Sequence, residues 1–110
     1  MARILLTGAN GFVGKVLLQR LLQDQHQVTG TVASAPLPVT PGCDYQVMDV
    51  CDRNQVDAVV QRVRPTHVIH LAAVSNVAVS FRDPLLTWHT NVIGTLNLME
   101  SFKHHAPECF

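Results

Sequence analysis

Arg3-Ile4-Leu5-Leu6-Thr7-Gly8-Ala9-Asn10-Gly11-Phe12-Val13-Gly14 decides how the rest of this 110-residue chain is read. A short apolar run, Ile4 to Leu6, leads into glycines at positions 8, 11 and 14. Apolar residues then recur at 13, 17 and 21, with 18 and 22 beside them, which is the stripe of an amphipathic helix ending near Asp24. Glycine has no Cβ, so the backbone can turn tightly and approach a ligand closely. The helix that follows aims its free N–H groups and positive dipole end at the turn. A strand that feeds such a turn, and a helix that leaves it, predict a seat for the pyrophosphate of a dinucleotide. The candidate residues of that seat are Gly8, Asn10, Gly11, Phe12, Val13 and Gly14.

Outward from the turn, strand-like and helix-like segments alternate. Gln27 to Val32 is short and β-branched and reads as a second strand; Ala33 to Asp44, with three prolines and a glycine, reads as loop. Tyr45 to Val50 reads as a third strand. Asp52, with Gln55 three residues on, forms a capping-box pattern and opens a helix with Val56, Val59, Val60 and Val63 on one face. Pro65 stops it, and Thr66 to Leu71 reads as a fourth strand. Ala72 to Arg82 reads as a small-residue loop. Asp83-Pro84 then starts a last helix, expected to turn Leu85, Trp88, His89, Val92, Leu96, Met99 and Phe102 toward a core until Pro107 ends it. The order β-α-β-β-α-β-α predicts an α/β fold with a parallel sheet covered by helices on both faces. Right-handed crossovers give strand order 3-2-1-4, the N-terminal half of a Rossmann-like doubly wound sheet. No fifth strand follows, so strand four is expected to expose an apolar edge.

Composition narrows the function classes. The chain is long enough for one domain, and at 47% hydrophobic residues it can build a packed core. Lys+Arg and Asp+Glu are 8 each, so no basic excess points to nucleic acid. No apolar run approaches the roughly 20 residues of a membrane span, and the start does not read as a signal peptide. Cys43, Cys51 and Cys109 form no C-x-x-C pair and read as free thiols of a cytoplasmic protein. Adjacent His104 and His105 diverge around a helix and make a poor chelate, so no metal site is expected.

Other residues carry two readings each. Asp49 could accept from an adenine amino group at a strand's carboxyl end, or be a solvated aspartate. Leu71, Ala72 and Ala73 leave room for a cofactor, or pack closely. His70, inside an apolar strand, reads as a hydrogen-bonded core histidine ahead of a catalytic one. Asn91, among apolar neighbours, needs partners and is placed to brace the loop after strand four. Trp88 reads as core. Near Ala33 and Ser34 there is neither the acidic residue that binds a ribose 2′-hydroxyl nor an arginine for a 2′-phosphate. The cofactor is therefore NAD or NADP; Ser34 could reach a 2′-phosphate, which leans the reading to NADP.

The glycine turn, together with His70-Leu71-Ala72-Ala73-Val74-Ser75-Asn76-Val77, Ser80-Phe81-Arg82-Asp83-Pro84, Thr87 and Asn91-Val92-Ile93-Gly94-Thr95-Leu96-Asn97-Leu98, resembles the extended short-chain dehydrogenase/reductases. Within them it is similar to the NAD-dependent epimerases and dehydratases of nucleotide sugars. The Ser-x-Val-x-x-Ser-Phe-x-Asp-Pro pattern is most similar to the GDP-mannose 4,6-dehydratase and GDP-6-deoxy-4-keto-mannose reductase branch. The resemblance covers Ile4 to about Ala106. It implies that Gly8, Gly11 and Gly14 form the pyrophosphate turn, with Phe12 and Val13 supplying N–H groups. It also implies that Asp49 and Val50 hold adenine, and that Leu71, Ala72 and Ala73 line the cofactor. Ser75 would approach the nicotinamide or the sugar, and Asn91 would match a structural asparagine. A nucleotide-sugar substrate and a homodimer are implied for an intact enzyme.

Such enzymes carry a Tyr-x-x-x-Lys. Here the single tyrosine, Tyr45, is followed four residues on by Asp49. No catalytic residue is therefore assigned, and the 110 residues read as the N-terminal part of a cofactor domain, expected to be inactive alone. A non-catalytic dinucleotide sensor and an inactive fragment are the alternative readings.

Overall fold

A computed structural model describes residues 2–73 and 77–110. Four parallel strands, β1 (Arg3–Thr7), β2 (Gln27–Val32), β3 (Cys43–Val47) and β4 (His67–His70), form one sheet in the order β3-β2-β1-β4. Leu5 pairs with Thr29 on one side and Val68 on the other; Thr7 pairs with Thr31 and His70. β1 is thus the central strand, and its near-continuous apolar sequence is what burial on both faces demands. Successive side chains alternate across a strand. Leu5 enters a core with Met48, Val50, Val56, Val60 and Leu98, whereas Leu6 enters the opposite core with Ile4, Ala9, Leu18 and Val28.

Helix α1 (Phe12–Gln23) covers the second of these faces, and α2 (Arg53–Val63) covers the first. Asp52 caps α2, accepting from the N–H groups of Asn54 at 3.0 Å and Gln55 at 3.3 Å. The expected capping box closes differently. The Gln55 carbonyl oxygen accepts from the Asp49 N–H at 2.8 Å, three residues before the cap, so the side chain ties the helix start to the segment after β3. Asp52→Ala is expected to cost about 1 kcal/mol, the usual worth of a helix cap, read as a lower urea midpoint at unchanged slope.

Three expectations change. β3 ends at Val47, so Asp49 stands on the connection to α2 and not in the strand. Residues after Ala72 are not all loop: Val77–Arg82 form a short helix, α3. The long last helix is broken into α4 (Pro84–Trp88), a π-helical turn (His89–Ile93) and α5 (Gly94–His105). A π turn inserts an extra residue, and each residue turns a helix by about 100°, so the face presented to the core rotates across the break. Gly94, Leu98 and Ser101 are the buried residues of α5, while Leu85, Trp88 and Met99 are 80%, 66% and 62% exposed. Trp88 is a surface residue. The cause lies at Gly94, where a Cβ would stand 2.6 Å from Val50 Cγ2. That close approach, with the Asn97 amide donating to the Val50 carbonyl at 2.8 Å, sets which face turns inward.

The outer edge of β4 is covered at one point. The Phe110 N–H donates to the Thr66 carbonyl at 2.9 Å, and its carbonyl accepts from Val68 N–H at 2.6 Å. These two bonds are one rung of a parallel ladder opposite His67, on whose ring Phe110 stacks at 5.6 Å. Phe110 thus pairs with the outer edge of β4 at this one position.

Candidate functional site

The turn after β1 is built by exclusion of side chains. Gly8 has φ +68°, a left-handed conformation; a Cβ there would lie 2.8 Å from the Leu71 carbonyl carbon and 2.9 Å from the Ala72 nitrogen. Gly14, in the first turn of α1, faces the glycine turn itself: a Cβ on it would run into the Gly8 carbonyl oxygen and stand 3.0 Å from Ala9 Cα. The Gly8 carbonyl accepts from Gly11 N–H at 3.1 Å, and Ala9 N–H donates to the Thr31 carbonyl at 3.2 Å, which pins the turn to β2. Gly11 caps α1 without a side-chain hydrogen bond, and the first turn holds no acidic residue. Its leading amides are therefore not taken up by a capping side chain, which is the condition for receiving an anion.

Thr7 locks this turn to β4. Its buried Oγ1 accepts from the N–H groups of Leu71 at 3.0 Å and Ala72 at 3.1 Å, and lies 2.6 Å from His70 Nδ1. His70 is the hydrogen-bonded, half-buried histidine expected from its place in an apolar strand; burial pushes its pKa below the ordinary value. Thr7 carried no separate signal in the sequence. A threonine at the end of a buried strand reads as a β-former, and its partners lie 63 to 65 residues away.

Above the carboxyl ends of the strands lies a cleft of about 680 Å³, within the usual range for small-molecule sites. It brings together Gly8, Asn10, Gly11, Phe12, Val13 and Gly14 from the turn, Asp49 and Val50 from the segment after β3, and Leu71, Ala72 and Ala73 from the end of β4. Asp49 is exposed, and its Oδ1 accepts from Cys51 N–H at 2.9 Å. Ser75 lies outside the described residues. Asn91 does not line the cleft: its neighbours His89 and Thr90 do, and Asn91 sits half-buried behind them in the π turn. Ala33 lines the cleft at the end of β2. Thr31, Met48, Cys51, Leu86, His89 and Thr90 also line it and were not anticipated. Met48 and Cys51 flank the Asp49-Val50 pair, so the rule that strand ends face the crevice could have found them. Leu86, His89 and Thr90 come from the segment expected to face a core.

Tyr45 does not join the cleft. Its hydroxyl shares a hydrogen bond with Thr40 Oγ1 at 2.7 Å, and its ring covers Gly30. Among the described residues no three His, Cys, Asp or Glu side chains converge to hold a metal. Cys43, Cys51 and Cys109 are free thiols. No described helix is long and apolar enough to cross a membrane.

The family model of the NAD dependent epimerase/dehydratase family matches residues 4–110. The chain belongs to that family. It is 32% identical to a dTDP-glucose 4,6-dehydratase of Neisseria meningitidis over 94% of this chain and 32% of the relative. It is 35% identical to a GDP-mannose 4,6-dehydratase of Sordaria araneosa over 89% of this chain and 19% of the relative. The crystal structure of Thermus thermophilus UDP-glucose 4-epimerase, a complex with NAD, superposes with a TM-score of 0.86 at 34% identity, over 94% of this chain and 34% of that one. The chain thus spans about a third of the length of most such relatives. Family membership agrees with the cleft. The glycine positions leave backbone where a Cβ would collide, and the uncapped start of α1 faces the same space, so the residues present fit a dinucleotide.

Proposed function

We propose that these 110 residues form the dinucleotide seat, the N-terminal part of the cofactor domain, of an NAD(P)-dependent nucleotide-sugar oxidoreductase or dehydratase. The observation that carries this is the Gly8–Gly14 turn, closed by Thr7 against Leu71 and Ala72, with the uncapped α1 above it. Phe12 and Val13 N–H groups would receive the pyrophosphate, and the α1 dipole would favour its charge. Asp49 would accept from the adenine amino group through the carboxylate oxygen that Cys51 leaves open, with Val50 beneath the ring. Leu71, Ala72 and Ala73 would line the ribose and nicotinamide, and Ser75 would stand toward the nicotinamide or the sugar. Asn91 would brace the π turn whose His89 and Thr90 wall the cleft.

When bound, the nicotinamide supplies the hydride chemistry at C4 of a nucleotide-linked hexose. The residues of this chain bind and orient it. Tyr45 is not a candidate acid/base: its hydroxyl is bonded to Thr40, and Asp49 stands where a lysine would hold its pKa down. A GDP-mannose 4,6-dehydratase or GDP-4-keto-6-deoxy-mannose reductase type is favoured by the Ser80-Phe81-Arg82-Asp83-Pro84 segment and by likeness to the Sordaria araneosa enzyme. NADP is favoured over NAD because the β2 end presents Ala33 and Ser34 and no carboxylate to a 2′-hydroxyl. A homodimer is supported by the exposed apolar side chains Leu85, Trp88, Leu96 and Met99 on α4 and α5, and a cytoplasmic setting by the three free thiols.

Calorimetric titration with NADPH and NADH tests the reading. One-to-one binding is expected, tighter for NADPH, with no turnover of a GDP-4-keto-6-deoxy sugar. Binding of neither nucleotide would overturn it.

A further inference from the structure

Three contacts converge on one buried oxygen, and the count of lone pairs settles where the proton lies. Thr7 Oγ1 lies 3.0 Å from Leu71 N, 3.1 Å from Ala72 N and 2.6 Å from His70 Nδ1. A hydroxyl has two lone pairs and one proton. The two amides fill the lone pairs, so the hydroxyl proton points to His70 Nδ1. His70 must then be neutral, with its own proton on Nε2. Either the other tautomer or the imidazolium would place a third donor on a saturated oxygen. Protonating His70 therefore makes Thr7 turn its hydroxyl and release an amide. Leu71 N–H can fall back on the Thr7 carbonyl at 3.2 Å, so the Ala72 amide is the one that loses its partner. That amide belongs to the wall 2.9 Å from where a Gly8 Cβ would stand.

We propose that His70 is a positioning residue that makes the dinucleotide seat sensitive to protonation. Neutral, it orients Thr7, which clasps Leu71 and Ala72 against the glycine turn; protonated, it opens the clasp. The consequence for binding rests on the dinucleotide reading above, whereas the clasp itself does not. Burial is the cause that lowers the His70 pKa from 6.5. The ionisable groups of the surrounding elements are Arg3 on β1, His67 on β4, Lys15 on α1, Arg82 on α3 and His89 after α4. A base with a depressed folded pKa leaves the clasp complete above 6.5; stability is lost as pH falls through 6.5 and the loss is complete below the folded value.

Two measurements on the same chain test this. In proton–nitrogen NMR of the free protein, the amides of Gly8, Leu71 and Ala72 are expected to shift with one midpoint, below 6.5 and equal to that of the His70 ring. NADH is the probe for binding because, unlike NADPH, it carries no phosphate monoester titrating in this range. Its affinity is expected to fall about tenfold from neutral pH to below the His70 midpoint, a difference of ~1.4 kcal/mol. His70→Asn keeps a neutral acceptor and loses the titration, so its affinity should be flat with pH, while His67→Asn keeps the wild-type profile. A His70 ring that titrates without moving Leu71 and Ala72 overturns the proposal, as does an unchanged pH profile in His70→Asn. Should NADH fail to bind at every pH, the dinucleotide reading falls, and the amide titration of the wild-type chain still decides the clasp.

Discussion

Gly8→Ala is expected to destabilise the chain by about 2–5 kcal/mol and to abolish measurable NADH binding, two effects with one origin. At φ +68° an L-residue pays the left-handed penalty of about 1–2 kcal/mol. Its Cβ would also meet backbone, 2.8 Å from the Leu71 carbonyl carbon and 2.9 Å from the Ala72 nitrogen, where no side chain can swing aside. Relief requires β1 and the end of β4 to separate, which pulls Leu71 and Ala72 off Thr7 Oγ1 at the same time. Urea denaturation checks the first effect and calorimetry the second. Asn10→Ala, on an exposed residue of the same turn, is expected to leave stability within about 0.5 kcal/mol of wild type. A Gly8→Ala chain with wild-type stability would show that the turn does not touch β4.

Leu5→Ala is the second large expectation, at about 2–5 kcal/mol for a fully buried leucine. Leu5 is 0% exposed and lies in the core that also holds Met48, Val50, Val56, Val60 and Leu98. The cavity would open between β1 and α2, directly under the segment that carries Asp49. A loss of this size is a large share of the 5–15 kcal/mol that separates folded from unfolded domains. In thermal unfolding each kcal/mol is worth roughly 4–8 °C for a chain near this size, so a shift of roughly 8–40 °C is expected. Asp49 lines the cleft rim from the same segment, so NADH affinity is expected to weaken in the folded remainder. A change below about 1 kcal/mol would place Leu5 outside the core.

The sheet was legible because its signals are local. β1 ends before Gly8, β3 begins after Pro41-Gly42 and β4 follows Pro65, and the alternation of strands with helices leaves one parallel order. The glycine turn was legible for the same reason, since the need for a missing Cβ is written at each position. The expectation for Asp83 onward failed because an apolar spacing does not say whether the helix keeps one register. The π turn at His89–Ile93 rotates α5, so Gly94 and Leu98 meet Val50 while Trp88 and Met99 face outward. Asn91 stands in the same π turn, whose His89 and Thr90 line the cleft.

What the amino-acid order determined by itself is the class of fold, its strand order and the site's floor, because those follow from side-chain periodicity and from glycine at three positions. Tertiary structure alone decided how the floor is closed. Thr7, His70, Leu71 and Ala72 meet on one hydroxyl oxygen only because β1 and β4, more than sixty residues apart, lie side by side. Which proton sits on that oxygen is set by counting the donors around it. No spacing in the sequence shows that count, because the donors come from backbone amides that every residue but proline carries.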